Sequence, residues 1–210
     1  MANYLQISVL IATIAISIAT FMLSRSLIFR YSKNRKARSY LFWGLGMWLF
    51  GLTTLIESLF AVNVYSVLLS DSYLFLVVVL VELLALGSIQ LVKTRAYRMA
   101  YYSFAALASI MALFYIATGN PGDIIVNYVV AGRLQSNVAL WSAIPTFAAS
   151  VVLVGVALKS YLRKRSARML SIIAGVVVVS IAGTLYLAAF PEFLYFAEFA
   201  GMALLWIGFR

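Results

Sequence analysis

Six acidic side chains, Glu57, Asp71, Glu82, Asp123, Glu192 and Glu198, are the whole supply of carboxyl groups in this chain, and neither histidine nor cysteine stands beside them. That set excludes most covalent and metal chemistry. Zinc, copper, haem and iron–sulfur sites draw on Cys and His, and so do the usual nucleophile and base pairs. No Walker motif, GxSxG, HExxH or paired aspartates occurs either. The expectation is no catalytic residue, no metal site and no cofactor, and hence no enzyme. Glutamates without such helpers can still bind a cation, a proton or a polar ligand, or tie helices together.

The acids differ in their surroundings. Asp71, Asp123 and Glu192 fall in or beside polar connections, and Asp123 in "GNPGD" has the chemistry of a turn, with Arg133 the nearby cation. Glu57, Glu82 and Glu198 stand inside apolar runs. Glu82 is the clearest case, near the middle of "YLFLVVVLVELLALGSIQLV", residues 73 to 92. These three form the candidate polar site.

The elements that must position them follow from composition. Apolar residues make up 65% of the chain and charged residues 10%, with a mean hydropathy of +1.03, against about half and about a quarter in soluble domains. An integral membrane protein is indicated. A spanning helix takes about 20 apolar residues, and seven runs qualify: 5 to 29, 40 to 61, 73 to 92, 99 to 118, 138 to 158, 169 to 189 and 192 to 209. The first lacks a basic n-region and "FMLSRSLIFR" lacks a cleavage pattern, so it reads as a retained helix. The sixth and seventh are separated only by the turn at Phe190 and Pro191.

Basic residues set the expected orientation, because Lys and Arg stay on the cytoplasmic side. Arg25 with "RYSKNRKAR", then "KTRAYR", "KSYLRKRSAR" and Arg210 occupy alternate connections and the C-terminus; they hold all of the 16 basic residues except Arg133. The fold expected is therefore all-α, a single bundle of seven transmembrane helices in the cell membrane, N-terminus outside and C-terminus cytoplasmic. Arg30, Lys33, Arg35, Lys36, Arg38, Arg163, Lys164, Arg165 and Arg168 become candidate contacts to anionic headgroups, each worth about 1 kcal/mol at such a surface. The net charge of +10 is then a cytoplasmic collar, and nucleic-acid binding is not expected.

At about 1.5 Å per residue, Glu57 lies some 6 Å inside the outer end of its run, Glu198 some 9 Å and Glu82 some 13 Å. Carboxyls at such depth usually face the bundle interior or water. No basic residue shares their depth, so neutral, hydrogen-bonded acids are expected, with Thr53, Thr54, Ser58, Ser88 and Tyr186 as partners. The alternative is an outward-facing cavity that they line. Gly44, Gly46, Gly51, Gly175, Gly183, Gly201 and Gly208 offer close helix packing, and Pro145 should kink the fifth helix. Trp43, Trp141, Trp206, Tyr73, Tyr101, Tyr102 and Tyr195 sit near run ends and read as interfacial anchors.

A shift of 130 residues lays "KARSYLFWGLGMWLFGLTTLIESLF" on "SARMLSIIAGVVVVSIAGTLYLAAF", matching Ala37 and Arg38 with Ala167 and Arg168, Thr54 and Leu55 with Thr184 and Leu185, and Phe60 with Phe190. Two parallel triplets, 5–92 and 138–209, joined by a helix at 99–118, would produce that match.

The basic loop followed by "YLFWGLGMWLFGLTTLIESLF", the ending "LLALGSIQLVK" and the close "GTLYLAAFPEFLYFAEFAGMALLWIGF" resemble seven-helix membrane proteins of prokaryotes, including N-terminal sensor regions of signal transducers. Those regions usually continue into a kinase or cyclase domain, whereas this sequence stops at Arg210. The resemblance implies a non-catalytic module that acts through other membrane subunits, sensor-like but without an output domain, or an accessory subunit of a complex. Helix count and orientation are also similar to those of microbial rhodopsins, but residues 192 to 209 hold no lysine for a Schiff base, and Lys93 and Lys159 lie at helix ends. Retinal is not expected. The alternative function is a small transporter or channel whose outward cavity is lined by the buried glutamates.

Overall fold

The computed structural model describes residues 2–119, 124–126, 129–130, 134–187 and 192–209. Asp123, Arg133, the turn at Phe190 and Pro191, and Arg210 lie outside the described residues, as do the side chains of Lys164, Thr184, Leu185, Tyr186, Gly183 and Glu192.

Among the described residues seven helices run in order: α1 Ala2–Lys33, α2 Arg38–Ala61, α3 Val67–Ile89, α4 Arg95–Thr118, α5 Ser136–Lys164, α6 Ala167–Leu187 and α7 Glu192–Phe209. Between α4 and α5 the chain forms one short antiparallel pair, β1 Ile125–Val126 with β2 Val129–Val130, in register Ile125 to Val130. Helix is the expected answer for such apolar runs, since only a helix satisfies every backbone group within its own segment where water is absent. Among the described residues, five helices are long and apolar enough to cross a membrane: Gln6–Lys33, Arg38–Ala61, Val67–Ile89, Arg95–Thr118 and Ser136–Arg163. Shorter apolar stretches follow at Ala167–Val179 and Tyr195–Phe209.

The helices are packed as a ring with one member outside it. Neighbours in the ring are α1 and α2, α2 and α3, α3 and α5, α5 and α6, α6 and α7, and finally α7 and α1. Helix α4 lies against α3 and α5. It turns inward a narrow face of Tyr101, Ala105, Ala108, Ala112 and Ile116, leaving Leu107, Ile110, Leu113 and Phe114 exposed. The main core fills the ring with Ile16, Leu23 and Leu27 of α1, Trp43 and Met47 of α2, Leu80 and Leu84 of α3, Leu153 of α5, Val176 of α6, and Met202, Leu205 and Phe209 of α7.

Close packing rests on the expected glycines. A Cβ on Gly44 would meet Ile28, one on Gly46 would meet Leu84, and Gly175 lies against the Gly201 carbonyl. Gly87 adds a position the sequence reading passed over, because the Trp43 ring lies directly on it. Along α1, Thr13, Ser17, Thr20 and Ser24 form a buried stripe toward α2. Ser17 donates to the Gly51 carbonyl at 2.9 Å and Ser24 to the Gly44 carbonyl at 2.7 Å, so the glycines that admit α1 also supply its acceptors.

Helix α3 starts six residues before the expected edge. Ser66, extended at φ −150°, accepts from the Leu69 amide at 3.2 Å and so caps the new first turn. Ahead of it Asn63, at φ 62°, reverses the chain in the left-handed conformation that asparagine tolerates.

Candidate functional site

The acidic trio divides into two sites. Glu57 lies one turn before the end of α2 and is 2% exposed. Tyr73, six residues into α3, donates its hydroxyl to Glu57 Oε1 at 2.6 Å, and its ring meets Phe60 edge-on at 5.7 Å. The Ser66 cap thus places the tyrosine: α2 leaves this end of the bundle as α3 enters it, and residues 57 and 73 come level.

Helix α7 brings the second carboxyl. Val9 of α1, Ala61 of α2 and Tyr195 of α7 form one buried cluster. One turn deeper than Ala61 on α2 is Glu57, and one turn deeper than Tyr195 on α7 is Glu198. The two carboxyls lie within electrostatic reach of one another. Both residues are more than nine-tenths buried, and the Oε2 atom of each has no hydrogen-bond partner. Among the described residues no lysine or arginine acts on either group. Beside Glu57 in sequence, Ser58 donates to Thr13 Oγ1 at 2.9 Å, which ties α2 to α1.

Glu82 belongs elsewhere. It lies fifteen residues beyond Val67, about 22 Å along α3 rather than the 13 Å expected from a later helix start. Ser109 of α4 donates to its Oε2. Its Oε1 is buried without a partner, and so is the hydroxyl of Tyr101, which is in electrostatic reach of Glu82. This second site sits at the seam between α3 and the helix outside the ring.

Of the expected hydroxyl partners, Thr53, Thr54, Ser58 and Ser88 are otherwise engaged. Thr53 and Thr54 donate to carbonyls of their own helix, and Ser88 joins Leu84 and the Trp43 indole. A helical threonine or serine reaches the carbonyl a turn behind it more readily than a neighbour's carboxyl. Several expected interfacial anchors are also buried in protein: Trp43, Tyr73, Tyr101 and Tyr195 are each under a tenth exposed. Trp43 donates to the Leu84 carbonyl at 3.2 Å, and Trp141 stacks on Tyr115 at 5.1 Å. Position near a run's end cannot tell a headgroup anchor from a side chain pointing into the ring.

Pro145 is buried inside α5, which continues unbroken from Ser136 to Lys164. The proline cannot donate to the Trp141 carbonyl; one residue on, Thr146 donates its hydroxyl to the Ser142 carbonyl at 3.0 Å. Of the basic candidates, Lys33, Arg35, Lys36, Arg38, Arg163, Arg165 and Arg168 are exposed. Arg30 is half-buried instead and donates to the Phe209 carbonyl at 3.2 Å, closing α1 onto the end of α7.

Comparison with known proteins finds no family model, no curated protein and no solved structure that matches this chain. The site's chemistry therefore rests on its own geometry. A buried pair of carboxyls with two unpartnered oxygens offers acceptors for a proton or cation, whereas the Glu82 site offers one carboxyl held by a hydroxyl.

Proposed function

We propose that this chain is a seven-span protein of the cell membrane, N-terminus outside and C-terminus cytoplasmic, that performs no covalent catalysis and works through the buried polar centre of Glu57, Tyr73 and Glu198. One observation carries the reading: two buried carboxyls lie within electrostatic reach of one another, and among the described residues no cation meets them and the Oε2 atom of each is unpartnered. Packing alone gives no reason for that. A single glutamate with its tyrosine would tie α2 to α3 at lower desolvation cost. In this reading the centre responds to a small ligand, and the response passes to other membrane subunits as the packing of α2, α3 and α7 changes. The chain is then a sensor-like module or an accessory subunit.

A small transporter or channel is the second reading, and the ring favours it. Contacts among α1, α2 and α3 repeat among α5, α6 and α7, with seams from α3 to α5 and from α7 to α1, and α4 outside. That is the pattern two parallel triplets produce.

Gentle native extraction of the tagged chain followed by mass spectrometry separates the two. Stoichiometric recovery with a larger assembly supports the partner reading. Recovery alone, together with solute movement in liposomes that Glu198→Gln abolishes, supports transport and overturns it.

A further inference from the structure

We propose that the end of the bundle where α2, α4 and α6 begin is a docking surface for anionic phospholipid, selective for acidic over zwitterionic headgroups. It lies at the opposite end of α2 from Glu57 and does not rest on the reading of the polar centre.

Side-chain contacts gather three basic connections on this one face. Arg30 of α1 donates to the Phe209 carbonyl at 3.2 Å, and the ring centroids of Trp43 and Phe209 are 4.8 Å apart, so the ends of α1 and α7 meet the start of α2. Trp43 also donates to Ser88, the penultimate residue of α3, at 3.3 Å, and Phe42 meets Tyr102 in the second turn of α4 with ring centroids 6.3 Å apart. On the other flank a Cβ on Gly208 of α7 would meet the Arg168 carbonyl, which brings in the start of α6 and the connection before it.

The face so assembled carries one sign of charge. Lys33, Arg35, Lys36 and Arg38 are exposed in and beside the α1–α2 connection. Lys93 and Arg95, which the reading of headgroup contacts from sequence omitted, are exposed at the α3–α4 connection, as are Arg165 and Arg168 at the α5–α6 connection. Arg30 leaves the set, because it is half-buried and closes α1 onto α7. The sequence has no acid before Glu57, between Glu82 and Asp123, or between Asp123 and Glu192, so none of the three connections contains a counter-ion. The positive dipole ends of α2, α4 and α6 add to the same sign.

Charge alone would suit any polyanion, and the apolar residues beside it select lipid. Phe29 is exposed one turn deeper than Lys33, about 6 Å along α1. The Lys33 ammonium lies 4.6 Å from the centre of that ring, so its stem already spans the step from apolar to charged. Tyr97 and Met99 are exposed four residues beyond Lys93 and Arg95, and Leu170 is exposed two beyond Arg168. A nucleic acid or an acidic polypeptide would pair with the cations and leave this belt in water. A phospholipid meets both, with its phosphate at the cations and its acyl chains against the belt. A zwitterionic headgroup meets the belt equally well but brings no net charge to the cations.

Quenching of the intrinsic tryptophans by brominated lipid tests this with the full chain in phosphatidylcholine bilayers, since Trp43 and Trp206 stand near the start of α2 and the end of α7. Brominated phosphatidylglycerol is compared with brominated phosphatidylcholine at low and high salt, and again in the triple variant Arg35→Gln, Lys36→Gln, Arg38→Gln. The expected result is a preference for phosphatidylglycerol of at least about fivefold, the gain from one cation at an anionic surface. It should shrink at high salt and fall by a similar factor or more in the triple variant, while Glu57→Gln keeps it. Equal quenching by the two lipids in the wild type overturns the proposal, and that arm needs no variant to fold. Retention of polyglutamate by the same vesicles would then give the face to an acidic protein. A preference that the triple variant keeps in full also overturns the proposal, as does one that inorganic phosphate abolishes and chloride at equal ionic strength does not, which would assign the face to a free anion.

Discussion

The clusters around Glu57 and Glu82 contain the same chemistry, a buried glutamate and a neighbouring hydroxyl, yet they occupy different kinds of place. Glu57 is buried within the ring, takes its hydrogen bond from Tyr73 on the next helix and lies within electrostatic reach of Glu198 on α7. Glu82 faces outward from the ring to α4 and is held by Ser109 alone. The contrast shows that burial of an acid does not by itself mark a working site. What distinguishes the first cluster is that a second buried acid lies within electrostatic reach of the first.

The largest effect that separates the clusters is functional. Glu57→Gln or Glu198→Gln is expected to abolish the activity of the chain, read as partner recruitment or liposome flux. Glu82→Gln is expected to retain it. Equal losses from all three substitutions would merge the two sites.

Next in size is Tyr73→Phe, which removes the single donor to Glu57 Oε1 and leaves a buried acceptor open. A loss of about 1–3 kcal/mol in folding stability is expected, measured by thermal unfolding in detergent. Ser109→Ala makes the corresponding change at Glu82, where the seam with α4 can relax, and about 1 kcal/mol is expected. Ser24→Ala on α1 should cost least, roughly 0.6 kcal/mol for one interhelical bond in a membrane protein, and should leave both carboxyl clusters unchanged.

Much of this architecture is legible in the sequence because apolar runs and their boundaries are a composition signal. Seven runs were expected and seven helices are present among the described residues, most with ends within a few residues of the expected ones, although α3 begins six residues early and α5 ends six residues late. The edge of α3 was missed because "AVNVYSVLLSDS" reads as a polar connection, although Ser66 is a capping residue three before Leu69. That error carried into the depth of Glu82.

The three glutamates were visible as acids out of place, but their grouping was not. Grouping depends on which helix lies beside which and on rotation about each axis, and helices apolar on every side carry no stripe from which rotation can be read. Tyr73 was hidden for the same reason, being indistinguishable from a headgroup anchor. Ser109 had a weak signal, as a lone hydroxyl inside "FAALASIMALF". The stripe of Thr13, Ser17, Thr20 and Ser24 had a stronger one, since intervals of four, three and four residues mark one helical face.

The central claim is that Glu57 and Glu198 form one coupled unit and Glu82 does not belong to it. A double-mutant cycle tests this most directly, with unfolding free energies measured for Glu57→Gln and Glu198→Gln singly and together, and the same cycle for Glu57→Gln with Glu82→Gln. The account predicts a coupling of about 0.5–3 kcal/mol between Glu57 and Glu198, and additivity within about 0.5 kcal/mol for Glu57 and Glu82. Additivity in the first cycle, or coupling of the same size in the second, would contradict it.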